Sequence, residues 1–518
     1  MLAHFPILTL LIWLPVLGAV LVLFTGGDKH ANAARTIAVI VTVLNLLLCV
    51  PLYLGFDPGR YDMQFMEDHL WINVYHIRYA LGVDGISLVM VILTNFTGLL
   101  VVIAGCHSIK KRVAQYMAAF LTMQGMIVGV FCAMDAILFY VFWEGMLIPM
   151  YLSIGMWGSA NRSYASIKFF LFTFLGSILM LVALIFLYHQ SGSFMIQSFY
   201  GLPFDLKTQE WLFLAFLLAF AVKVPMWPVH TWLPDAHTEA PAGGSVVLAA
   251  LMLKLGIYGF LRFSMPITPH ACEQLAWVMI VLSLIAIIYI GLIAIVQSDM
   301  KKLIAYSSIA HMGFATLGCF MVYDIVTHMH SLQDAYMSLE GAVIQMVAHA
   351  FGSGAMFLGV GMLADRFYNH SRLIKDYGGV ANSMPIFAAF FMLFAMSNVG
   401  LPGTAGFVGE FMIIMSAFQA HFWVALFASM TLILSASYTL LMYKRIFFGP
   451  IGNQYVGEFK DINWTEKINY ILLAAGVFFV GLYPQPIIDV LRVTIGHLLL
   501  QSMPANLAFN MPSNMFFS

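Results

Sequence analysis

Apolar runs as long as the hydrocarbon core of a bilayer is thick follow one another along almost the whole of this 518-residue chain, and they dictate its fold class. A helix of about 17 to 25 apolar residues spans that core, and it pairs every backbone N–H and C=O within itself, which lipid requires. Such runs lie near 5–24, 36–55, 82–105, 113–132, 136–156, 166–188, 211–227, 243–262, 273–296, 302–321, 340–362, 384–418, 422–443 and 468–482, fourteen in all, the twelfth long and interrupted. With 62% hydrophobic and 9% charged residues, the composition belongs to a polytopic membrane protein and excludes a string of soluble domains. The first run, in MLAHFPILTLLIWLPVLGAVLVLF, lacks a basic leader and a small-residue cleavage site, so it reads as a span and not as a signal peptide.

Charge segregates across this arrangement. Loops after odd-numbered runs hold sixteen Lys and Arg, among them Lys110, Lys111, Arg112, Lys301, Arg366 and Arg372. The opposite side holds five, Arg60, Arg78, Lys207, Arg262 and Arg492, and the two that complete the total of 23 are Lys223 and Lys254, inside apolar runs. The positive-inside bias predicts both termini on the outer side, the periplasm of a Gram-negative cell. Residues 56–80, rich in acids and aromatics, are expected to form ordered structure on that outer face. Near the end, IIDVLRVTIGHLLL reads as an interfacial amphipathic helix, and the final residues 501–518 as a loosely held tail or a contact with a neighbour.

The chemistry lies in charges placed where charge is costly. A lysine at the centre of a membrane helix costs about 2.5 to 3.5 kcal/mol or more, so Lys223 and Lys254 need a reason. Lys223 stands two residues before Pro225, which has no N–H for the carbonyl of Ala221, and the helix must break there. Glu144 sits nine residues past Asp135, about 13 Å deep by helical rise, close to mid-membrane. Glu144 and Lys223 cost less if they face one another, so an interaction between them is predicted. Lysines that merely pin helices together, or a protonated glutamic acid serving as polar glue, would also account for these residues.

Pro225, Pro228, Pro234 and Pro241 forbid a continuous helix across 225–241, which is expected as irregular backbone on the inner face. His237, between the two deep lysines, reads as a proton-accessible imidazole near a membrane boundary; His311 and His349, inside the tenth and eleventh runs, read as relay members or as core histidines. No H-E-x-x-H or comparable ligand set supports a metal, and no C-x-x-C spacing joins Cys49, Cys106, Cys132, Cys272 and Cys319. Residues 359–364 match G-x-G-x-x-A, but inside an apolar helix with no preceding strand they denote close helix packing. A second break, NVGLPGTAG at 398–406, precedes Glu410. The broken runs, seventh and twelfth, are five apart, and a repeat of an odd number of spans is inverted across the membrane. Hence the expected organisation: an all-α polytopic fold of about fourteen transmembrane helices, an N-terminal three-helix segment 1–112, inverted five-helix halves 113–262 and 273–443, each with a broken helix, and a closing segment 444–518.

Five stretches, FWEGMLIPMY (142–151), KVPMWPVHTWLPDAHTEAP (223–241), LMLKLGIYG (251–259), KKLIAYSSIAHMG (301–313) and GLPGTAGFVGEF (400–411), resemble the antiporter-like membrane subunits of respiratory complex I. That resemblance implies a fourteen-helix fold with two inverted halves and proton-channel residues at Glu144, Lys223, Lys254 and Glu410, where sister subunits carry lysine at the last. It also implies connecting roles for His311, His237 and His349. It further implies that NADH oxidation, FMN, iron–sulfur clusters and quinone reside in partner subunits, with no cofactor in this chain. The partners would be other complex I membrane subunits, homologous antiporter-like ones on either side included, and the lipid bilayer, with no nucleic acid. Subunits of multi-subunit Na+/H+ antiporters and of membrane-bound hydrogenases share these motifs and remain an alternative.

Overall fold

The structure, a computed structural model, describes residues 5–503; the expected tail beyond Met503 lies outside the described residues. Helices α1 (Ile7–Leu23), α2 (Ala31–Leu54), α3 (Gly85–Ser108) and α4 (Val113–Cys132) come first, with strands β1 (Gln64–Ile72) and β2 (Ile77–Val83) between α2 and α3. They are followed by α5 (Ala136–Gly145), α6 (Leu147–Trp157), α7 (Arg162–Ser191), α8 (Leu206–Lys223), α9 (Trp232–Glu239) and the composite helix α10 (Ala242–Ile267). Then come α11 (Pro269–Ile295), α12 (Met300–Met329), α13 (Leu332–Arg366), α14 (Pro385–Val399), α15 (Ala405–Ala420), α16 (Phe422–Phe447), α17 (Trp464–Leu482) and α18 (Gln485–Ser502). Among the described residues, eleven helical stretches are long and apolar enough to cross a membrane by themselves; α1, α14 and α15 are apolar but shorter. The chain is a multi-pass membrane protein.

An all-α description needs one correction. Residues 64–83 form a two-stranded antiparallel hairpin, with Gln64 opposite Val83 and Leu70 opposite Arg78. Its Asp68 takes a two-pronged ion pair from Arg78 at 2.6 and 2.8 Å. Glu67 accepts the N–H groups of Leu8 (2.8 Å) and Thr9 (3.1 Å), supplying the N-cap that α1 lacks in its own sequence. We call this end of the bundle the hairpin face.

The opposite end is tied together by the basic loops. Arg372 donates to the Thr238 carbonyl (2.6 Å) and to Ser159 (2.8 Å), and it lies 3.3 Å from Asp299 and 3.5 Å from Glu239. Arg366 pairs with Glu466 at 2.7 Å. Several helices start on a side-chain cap: Asp135 receives the N–H groups of Ile137 and Leu138, Asp299 those of Lys301 and Lys302, and Asn463 forms a capping box with Glu466. Each such cap contributes about 1 kcal/mol.

Burial ranks the helices. The apolar window of α10 is wholly buried and those of α12 and α13 are 94% buried, against 33–44% for α2, α7, α11, α16 and α17. The outer helices turn large apolar side chains such as Leu44, Leu175 and Ile433 outward, as lipid-facing helices do. The three central ones carry Lys254, His311 and His349.

Candidate functional site

Both predicted breaks are present. At the first, α8 stops at Lys223, and the carbonyl of Ala221, left without a partner by Pro225, is taken instead by the N–H of Met226 at 2.7 Å; Trp232 Nε1 donates to the Val222 carbonyl at 2.9 Å. The freed carbonyls are thus satisfied by the chain itself. Residues 224–231 are irregular, as is the short join at 240–241. Residues 232–239 return to helix, correcting the expectation for 225–241: Pro234 falls in the first turn of α9, where a missing N–H is harmless.

At the second break, α14 ends at Val399 and Gly400 caps it at φ +85°, a conformation that costs an L-residue about 1 to 2 kcal/mol. A Cβ on Gly400 would also come within 3.1 Å of Glu410 Oε2. The glycine therefore makes the turn and leaves room for the carboxylate. The two interrupted crossings run in opposite directions: the segment leading into α8 lies on the hairpin face, where Met195 bridges Asp135, itself bonded to the N–H of Arg78, whereas α14 starts beside Asp461 on the basic face.

The predicted pairing of Glu144 with Lys223 is not a direct contact. Glu144, only partly buried, accepts a hydrogen bond from Ser177 of α7, and Lys223 Nζ stands 5.0 Å over the ring of Trp143 with no hydrogen-bond partner among the described residues. A kink between α5 and α6 places Glu144 there, because Pro149 has no N–H to give the Gly145 carbonyl.

From the lysine of α8 the site passes to α10. Gly256 lets the two helices touch: a Cβ on it would meet Phe220 O at 2.7 Å. A π-turn at Leu248–Met252 widens the backbone one turn before Lys254, and Lys254 Nζ donates to the loosened carbonyl of Ala249 and sits 2.7 Å from His349 Nδ1. The rings of His349 and His311 are 5.8 Å apart, and His311 Nδ1 lies 2.8 Å from Glu410 Oε1. Gln345 donates to that same oxygen at 3.1 Å. Lys254, His349, His311 and Glu410 thus form one connected line across α10, α13, α12 and α15.

His237 is fully buried within the protein, and it stacks on Phe357 with ring centroids 4.5 Å apart. Neither of its nitrogens has a partner among the described residues, nor do Nε2 of His311 and of His349 or Oε2 of Glu410. Buried polar atoms are otherwise almost always paired, and a run of unpaired ones along a line of titratable groups is an environment made for water.

The sequence profile described as NADH:quinone oxidoreductase/Mrp antiporter, transmembrane, matches residues 133–435, more than half of the chain and a span that holds all seven candidate residues. The chain belongs to this family. NADH-quinone oxidoreductase subunit M of Rhodobacter capsulatus is 45% identical over 508 residues, covering 95% of this chain and 96% of the relative. NADH-ubiquinone oxidoreductase chain 4 of Marchantia polymorpha is 40% identical over 489 residues, covering 94% and 96%. A chain of respiratory complex I from Thermus thermophilus with bound NADH superposes with a TM-score of 0.84 at 28% identity, covering 97% of this chain and 99% of that one.

Four participants escaped the sequence reading of this family member. Gln345 and Ser353 flank the candidate His349 at intervals of four residues and share one polar face of α13 with it, a spacing visible beforehand; Ser353 is 3.0 Å from Ser308 of α12. Ser177, a small hydroxyl in an apolar helix, gave no signal. Lys301, read as a loop cation, is buried and donates to the Ala240 carbonyl at 2.6 Å. The G-x-G-x-x-A stretch is helix packing: a Cβ on Gly361 would lie 2.5 Å from Ala242.

Proposed function

We propose that this chain is the M-type, proton-translocating membrane subunit of an NADH:quinone oxidoreductase. It carries protons outward while NADH oxidation and quinone reduction, with their FMN and iron–sulfur clusters, proceed in partner subunits, and no redox centre lies in this chain. The observation that carries the reading is the buried line Lys254–His349–His311–Glu410, with direct contacts of 2.7 and 2.8 Å at its ends and unpaired nitrogens along it. Relatives named for NADH-quinone oxidoreductase, matching end to end, favour this over the Na+/H+ antiporter alternative.

In the proposed mechanism, Lys223 is favoured as an ammonium when Glu144 is ionised and releases its proton when that charge is neutralised or withdrawn. The proton passes to Lys254, then through His349 and His311 to Glu410, and leaves at the hairpin face, the outer side by the charge bias. His237 joins from α9 as a side member. Moving one charge against about 200 mV costs about 4 to 5 kcal/mol, a range that repartnering of a buried ion supplies. No covalent chemistry is needed.

The halves 113–262 and 273–443 are proposed as inverted repeats within fourteen crossings, a view supported by the opposite directions of the two broken helices. Residues 1–112 and 444–518 complete the bundle beside homologous membrane subunits. The bilayer is proposed to be the bacterial inner membrane, with both termini periplasmic. The test is NADH-driven acidification of inverted vesicles carrying Glu144→Gln, alongside NADH-to-quinone electron transfer and an assembly check. Loss of both activities in an assembled complex is expected; wild-type values for both would make the carboxylate structural and refute this channel.

A further inference from the structure

Arg262 was counted as a loop cation, yet α10 continues past it to Ile267 and its side chain is only 13% exposed. Its Nη2 lies 2.6 Å from Asp84, whose side chain is 3% exposed, and 3.4 Å from Ser87 Oγ. Ser87 Oγ is 3.0 Å from the hydroxyl of Tyr258, which donates to the Phe131 carbonyl at 3.1 Å and lies 3.4 Å from Arg262 Nε. Lys254, Tyr258 and Arg262 recur every four residues, so they follow one another along one side of α10, about 6 Å of rise apart. This row runs from the central lysine of the relay to the hairpin face. A second π-turn, Phe260–Ser264, spans its outer end.

Beyond Arg262 lies a cavity of about 300 Å³, lined by Asp62, Asp84, Tyr200, Arg262, Thr494 and His497 among others. So large and polar a cavity holds water readily, since a single water needs only about 10 to 15 Å³. Tyr61 stacks on His497 at its rim, with centroids 4.2 Å apart.

We propose that this cavity is a water mouth on the outer side of the first half of the protein, and that Arg262, pinned by Asp84, is the electrostatic seal between it and Lys254. The inference rests on the relay and orientation proposed above. A tyrosine hydroxyl both donates and accepts, so Tyr258 and Ser87 form a conducting contact at the neck. Arginine does not release its proton in a protein, and a fixed cation at a constriction repels protons and other cations. The relay needs such a seal: a proton on Lys254 with a direct way to outer water would bypass His349, His311 and Glu410. Asp84 holds the guanidinium in place and also caps α3 through the Ser87 N–H at 2.9 Å, so the seal is anchored in the scaffold.

The test measures proton leak in vesicles containing the whole complex, under an imposed potassium diffusion potential and without NADH, so that its outcome is independent of the redox-driven relay. Arg262→Gln in an assembled complex is expected to raise leak at least threefold, and to lower the gradient held per NADH oxidised while electron transfer continues. Adding Tyr258→Phe to that variant is expected to restore tightness. Wild-type leak and gradient in assembled Arg262→Gln would overturn the seal. If that variant does not assemble, Gln501→Cys in the cavity wall decides: modification by a small cationic thiosulfonate in the intact complex supports a water mouth, and protection from it refutes one.

Discussion

Glu410→Gln isolates the charge at the end of the buried line with almost no change of shape. The carboxylate faces His311 Nδ1 at 2.8 Å and accepts from Gln345 at 3.1 Å, in a site where His311 and Glu410 side chains are 4% and 2% exposed. For a protonated imidazole at that separation, an effective dielectric constant of about 20 gives an attraction of about 6 kcal/mol. That is comparable to the cost of about 4 to 5 kcal/mol for moving a charge against about 200 mV. The amide keeps the hydrogen-bonding shape and removes the attraction. If only a quarter of it, about 1.5 kcal/mol, is expressed in the limiting transfer, flux falls about tenfold. The assay is NADH-driven acidification of inverted vesicles, normalised to assembled complex. A flux reduced at least tenfold is expected. Wild-type flux through the assembled Gln variant would refute the claim that this carboxylate receives the proton.

Three further outcomes are expected. His349→Leu separates Lys254 from His311, so proton flux should fall about as far as in Glu410→Gln; an unchanged flux would mean that Lys254 reaches His311 without it. Gly400→Val should lower assembly, because a β-branched residue at φ +85° is strained and its Cβ presses on Glu410 Oε2; equal thermal stability of the purified variant complex would contradict this. On the hairpin face, burial lowers His497 below its ordinary 6.5, so the docked state resists a proton that the undocked helix accepts. Docking of α18 is therefore strongest above pH 6.5 and weakens as pH falls below it. Protection factors across residues 485–502, each referred to the intrinsic amide exchange rate at that pH, should fall between pH 7.5 and 5.5 in the parent, and much less in His497→Gln.

What the sequence determined by itself follows from two costs that need no knowledge of neighbours. Lipid cannot pair backbone groups, so apolar runs had to be helices, and proline and glycine fixed where two of them break. Charge at mid-membrane is expensive, so Glu144, Lys223, Lys254 and Glu410 stood out one by one. Tertiary structure decided which of these residues meet. Lys223 lies over Trp143 and not against Glu144, His349 stands between Lys254 and His311, and Arg262 belongs to a buried pair with Asp84, 178 residues away in the chain. Those outcomes depend on how α10, α12, α13 and α15 are rotated and on the π-turns that shift side chains along α10. Hydropathy settles neither: α13 displays its polar face in the sequence, at Gln345, His349 and Ser353, but only packing selects the neighbours which that face meets.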